Sequence, residues 1–94
     1  DAKTLRTYID NAKNKLKSGV VVAGSVADGK VAMAAGVTKD LTNKFHAGNI
    51  IKEIATIVGG SGGGRPDMAQ AGGTQTDKLG EALKKAEEII KASC

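Results

Sequence analysis

Ninety-four residues, 40% of them hydrophobic, make one small domain with a modest core, and an aromatic content of 2%, Tyr8 and Phe45, leaves almost no rings for stacking unpaired bases. The net charge of +4 sits at the front: residues 1–52 carry nine Lys/Arg against four Asp/Glu, residues 53–94 five against six. One cysteine, Cys94, excludes an internal disulfide and fits a reducing, cytoplasmic setting; with one histidine it cannot build a structural zinc site.

Leu5, Tyr8, Ile9, Ala12 and Leu16 recur at helical spacing and predict a helix over about residues 2–17, ended by Ser18-Gly19. Lys13, Lys15 and Lys17 fall at its C-terminal end, where cations complement the helix dipole. Two strands follow, Val20–Val26 and Lys30–Val37, with Asp28-Gly29 as a two-residue hairpin turn. One face of that hairpin carries Val20, Val22, Val26, Val31, Met33 and Val37. The other carries Val21, Ala23, Ser25, Ala32, Ala34 and Gly36, so small that a helix should pack closely against it.

After a polar connection, 38–46, a helix is predicted over about residues 47–58, its core face formed by Ile50, Ile51, Ile54, Ile57 and Val58, with Gly59-Gly60 as its stop. Residues 59–73 read as a loop with seven glycines. Thr76 and Asp77 then start a last helix with the stripe Leu79, Leu83, Ala86, Ile89 and Ile90 and the i,i+4 pairs Glu81–Lys85 and Glu87–Lys91. The elements sum to an α+β fold, a small mixed sheet built on a β-hairpin and packed against about three helices. No apolar run is long enough to span a bilayer, and no basic-then-apolar leader precedes the first helix. The first residue, Asp1, is not Met, so the chain reads as a piece of something larger.

The glycine loop is the chemically informative segment. Glycine lets backbone N–H groups approach an anion, at the largest ordering entropy of any residue. Gly59 and Gly64 have the P-loop spacing, but Arg65-Pro66 stands where Lys and Ser/Thr must hold phosphate and magnesium; the dinucleotide fingerprint fails too, because neither Gly60-x-Gly62 nor Gly62-x-Gly64 has its third glycine. Arg65 can engage a phosphate with two parallel hydrogen bonds or close the loop on Asp67. Gln70 can contact a base edge or ribose, or satisfy loop backbone. His46 precedes a helix N-terminus whose free amides attract anions, and can contact RNA or cap the helix. Lys44 and Lys52 flank it, and with Lys30 and Lys39 would make a basic groove if all faced the loop. No Ser-His-Asp order, carboxylate pair or metal-ligand cluster favours catalysis.

The run GGGRPDMAQAGG, Gly62 to Gly73, resembles the glycine-rich signature in the C-terminal domain of bacterial-type alanyl-tRNA synthetases, and the likeness extends over nearly the whole chain. The wider DHH-associated accessory domains of nucleic-acid phosphoesterases typically have Gly-Gly-His-x-x-Ala-Ala-Gly there; Gly64-Arg65-Pro66 stands in its place, which favours the synthetase branch over a phosphoesterase accessory domain. The resemblance implies one non-catalytic globular domain, 1–94, that contacts the outer corner of tRNA(Ala), supports aminoacylation and editing, and adjoins other domains of the synthetase or a second copy. ATP, magnesium and zinc would be used in those other domains, not here. It directs attention to Lys44, His46, Asn49, Lys52, Gly62, Gly63, Gly64, Arg65, Gln70, Gly72 and Gly73 as RNA-binding residues.

Overall fold

The computed structural model describes residues 2–16 and 18–92. The expectations for Lys17 and Cys94 lie outside that range. The element order is α1 (Ala2–Lys15), β1 (Val20–Ala27), β2 (Lys30–Val37), α2 (Ala47–Ala55), β3 (Ser61–Gly64), β4 (Met68–Gly73) and α3 (Leu79–Ala92), with short 3-10 turns at Lys39–Leu41 and Thr76–Lys78. The four strands form one sheet in the order β1-β2-β4-β3. Every pairing is antiparallel, so the expectation of a mixed sheet is corrected. The cause is local: the residues read as a glycine loop are a second hairpin, β3–β4, which needs no crossover connection.

That hairpin escapes pattern reading because Ser61–Gly64 has no alternation of large and small side chains, and glycine weakens a strand. Tertiary packing supplies what propensity lacks. β4 pairs β2 from Val31↔Gly73 to Gly36↔Met68, and β3 adds to β4 from Ser61↔Gly72 to Gly64↔Ala69.

The first hairpin turns as expected: Asp28 and Gly29 have φ of 53° and 72°, the left-handed pair of a type I′ turn, which puts Val20 opposite Val37 and Val26 opposite Val31. On the valine face, Val31, Met33, Ala35 and Val37 meet Ile50, Ile51, Ile54, Val58, Ala82 and Ala86 of the second and third helices and the turn that ends α2. On the small-residue face, Leu5 and Ile9 of α1 cluster with Ala34 and Met68. A Cβ on Gly36 would lie 2.5 Å from Ile9 Cγ2 and 2.6 Å from Lys13 Cδ, so the missing side chain is what lets α1 lie against the sheet. The layers are therefore α1, sheet, and α2 with α3. Tyr8 is 58% exposed and Leu16 40%, so neither belongs to the buried stripe of α1. Leu16 follows the last residue of α1, and Tyr8 lies on the flank of the face formed by Leu5 and Ile9. On α3, Glu87 pairs with Lys91 at 3.1 Å as anticipated, whereas Glu81 is engaged at 3.4 Å by Lys78 from the preceding turn.

Candidate nucleic-acid interface

Arg65, Pro66 and Asp67 connect β3 to β4, and the backbone of that turn is bound from three sides. Arg65 N–H donates to Met68 O at 2.9 Å within the hairpin. The Arg65 and Pro66 carbonyls accept from Gly48 N (3.2 Å) and Ala47 N (2.9 Å), the first amides of α2. The Asp67 carbonyl accepts both Val37 N and Lys13 Nζ at 2.9 Å. Gly48 permits the closeness of strand and helix: a Cβ there would stand 2.6 Å from Gly64 O.

These bonds settle what the N-terminus of α2 does. His46 Nδ1 accepts from Asn49 N at 3.1 Å, the side-chain half of an N-cap, and the amides of Ala47 and Gly48 are taken by the turn. Of the two roles open to His46, the helix cap is the one formed, and the first amides of α2 are spent on partners within the protein. The glycine run is not an open loop: Gly62, Gly63 and Gly64 pair along one edge with Ala71, Gln70 and Ala69 of β4.

What the hairpin presents instead is side chains. A hollow of about 240 Å³ is lined by Arg6, Gly63, Gly64, Arg65, Met68, Ala69 and Gln70. Four residues singled out from sequence thus come together, Gly63, Gly64, Arg65 and Gln70. Arg6 was missed. The available signal was that the chain has only two arginines and that Arg6 precedes the buried Ile9 by three residues, on the flank of the α1 stripe. The Arg65 side chain is 69% exposed and its Nε lies 3.7 Å from Asp67 Oδ1, the geometry of a surface ion pair of about 0–1 kcal/mol.

The other candidates are dispersed. Gly72 lines a separate hollow of about 620 Å³ with Ser25, Lys30, Ser61 and Gln70. Gly73 serves packing, since a Cβ there would be 2.5 Å from Val58 Cγ2, and Gly62 is pressed in the same way against Ala71. Lys44 lies over the Phe45 ring, 5.7 Å from its centroid, and Lys52 and Asn49 are exposed on α2. Lys39 borders a third hollow with Lys13 and Asn14, so Lys30, Lys39, Lys44 and Lys52 do not converge on the glycine hairpin as one groove. Among the described residues no three His, Cys, Asp or Glu side chains gather where they could hold a metal ion, and no helix is long and apolar enough to cross a membrane.

A family model described as the DHHA1 domain matches residues 1–92. The chain belongs to the DHHA1 domain family. This DHHA1 domain is similar to an alanine–tRNA ligase of Natranaerobius thermophilus, 58% identical over 92 residues that cover 97% of the chain and 10% of the ligase. To that of Bacillus subtilis it is 54% identical over 93 residues, 98% of the chain and 11% of the ligase. The chain therefore spans about a tenth of the length of these curated relatives. The crystal structure of the C-Ala domain from Aquifex aeolicus alanyl-tRNA synthetase matches the fold with a TM-score of 0.88 and 36% identity, covering 95% of this chain and 80% of that one. The α+β architecture and the resemblance to the synthetase's domain are thus found in sequence and in fold.

Proposed function

We propose that this DHHA1 domain is a non-catalytic tRNA-binding module of an alanine–tRNA ligase, working in the cytoplasm on tRNA(Ala). The observation that carries the reading is the pairing of Arg6 and Arg65, 59 positions apart in sequence, at the rim of one hollow beside Gln70. Guanidinium groups match phosphate oxygens in planar, two-pronged geometry, and two of them on a surface with few aromatic rings favour recognition of RNA backbone and shape over stacking of splayed bases. Exposed Lys44, in the connection before α2, and exposed Lys52 on α2 add long-range attraction. Aminoacyl chemistry, with ATP, magnesium and zinc, would reside in other domains, which this module serves by holding the tRNA; contact with a second copy is a further role in the same reading.

The test is direct binding of the 94-residue chain to a folded tRNA(Ala) transcript and to an unstructured RNA of equal length, at several salt concentrations. The folded RNA should bind more tightly, and affinity should fall steeply with salt as counterions are released. Equal binding to both RNAs, or no salt dependence, would overturn recognition of a folded backbone.

A further inference from the structure

Lys13 is bound to the arginine-bearing turn in a way that goes beyond capping its own helix. Its aliphatic stem crosses Gly36, where a Cβ would meet Lys13 Cδ at 2.6 Å, and its ammonium donates to the Asp67 carbonyl at 2.9 Å. The side chain is only 17% exposed. The same ammonium lies 4.0 Å from Asp67 Oδ2, while Arg65 Nε lies 3.7 Å from Oδ1, so one carboxylate is shared between two cations.

The charge balance has a consequence. Arg65 and Asp67 alone would form a neutral pair, with the carboxylate free to draw the guanidinium onto itself and to repel an approaching phosphate. With Lys13 the three groups carry a net positive charge, and Asp67 is held by one oxygen while Arg65 is engaged only through Nε in this contact. A guanidinium held at Nε presents its outer edge to solvent, the edge used in two-pronged phosphate contacts. We infer that Lys13 is a positioning residue: by occupying Asp67 it leaves the charge and the outer edge of Arg65 available to the RNA backbone. This inference rests on the reading of Arg65 as a tRNA contact.

The test compares Arg65→Gln, Lys13→Gln, and Lys13→Gln combined with either Asp67→Asn or Arg65→Gln, all in the 94-residue chain, for affinity to a folded tRNA(Ala) transcript. Lys13→Gln should weaken binding about three- to fivefold, the range of one partly exposed charge interaction. Adding Asp67→Asn should restore affinity, because the competing carboxylate is gone; a role limited to bracing the fold would not be rescued in this way. Lys13→Gln added to Arg65→Gln should cost nothing further, whereas an independent loss would mean that Lys13 touches RNA itself and would overturn the proposal. Failure of Asp67→Asn to rescue would overturn it as well.

The Arg65 Nε–H resonance supplies a readout without RNA. It should shift in Lys13→Gln as the pair with Asp67 tightens, and an unmoved signal would defeat the positioning role. If Arg65→Gln leaves tRNA affinity unchanged while the resonance still shifts with Lys13, the tRNA reading of Arg65 fails although the charge sharing stands. If both stay unchanged, both fail.

Discussion

Substituting alanine for Gly48 tests the joint between α2 and the glycine hairpin. The added Cβ would stand 2.6 Å from Gly64 O, 3.2 Å from Gly64 C and 2.9 Å from His46 Cε1. A carbon needs more than 3 Å from a carbonyl oxygen, so strand and helix must separate by roughly half an ångström, and overpacking of this kind costs about 1–3 kcal/mol. Replacing a helical glycine recovers up to about 1 kcal/mol of propensity, less in a first turn. The net expectation is a loss of about 1–2 kcal/mol, a fall in melting temperature of about 5–15 °C for a chain of this size. Circular dichroism melting of Gly48→Ala measures it, with Gly80→Ala as the control. Gly80 lies in α3 with nothing within 4 Å of its Cβ position, so the same change there should raise the melting temperature by a few degrees. A Gly48→Ala protein that melts at or above the parent would refute the claim that glycine is needed for this approach.

Removing the His46 cap by His46→Ala should lower stability by about 1 kcal/mol, since Asn49 N loses its side-chain acceptor, and urea titration would show it as a lower midpoint at constant slope. Ile54→Ala, at a fully buried site in the larger cluster, should cost about 2–5 kcal/mol by the same assay; a loss below 1 kcal/mol would show that the layer collapses around the cavity. Hydrogen bonds from the Ser18 and then the Thr38 hydroxyl hold the Asp40 carboxyl below its ordinary range, with Thr38 Oγ1 2.6 Å from Oδ1. A lowered folded-state pKa gives stability that is present above the unfolded value of about 3.9 and lost as pH falls through the folded one. Parent and Asp40→Asn should therefore differ at neutral pH and converge below about pH 4, and a gap independent of pH would discount these bonds.

The first hairpin and the helices were legible because their signals are local. Asp28-Gly29 dictates its turn, the isoleucines of α2 recur at helical spacing, and the small face of β1 and β2 announced the helix that covers it. The second hairpin was not, because in β3 no side-chain alternation exists to read and pairing depends on β4, itself placed by β2. The candidate site was half legible for the same reason. Gly63, Gly64, Arg65 and Gln70 are neighbours in sequence as well as in space, whereas Arg6 reaches them only because Leu5 and Ile9 seat α1 on Ala34 and Met68. Lys44 and Lys52 were grouped with the glycine run by charge alone, and charge carries no information about direction.

The glycines of the 59–73 segment serve an approach of protein to protein. Gly64 lets β3 lie close against Met68 and Ala69 of β4, Gly73 lets β4 pass Val58, and the amides of α2 that might have held an anion bind Arg65 and Pro66 carbonyls instead. What this closeness achieves is a turn whose backbone is fixed from α2, from Val37 and from Lys13 at once, while the Arg65 side chain stays at the surface. The backbone of such a turn loses little further freedom when its guanidinium meets a phosphate, so that only the side chain remains to be ordered. On the proposed reading, the ordering cost of glycine is met during folding, before RNA arrives. That account distinguishes the glycines from a flexible linker: substitutions that loosen the turn should slow or weaken RNA capture even where no substituted atom reaches the RNA.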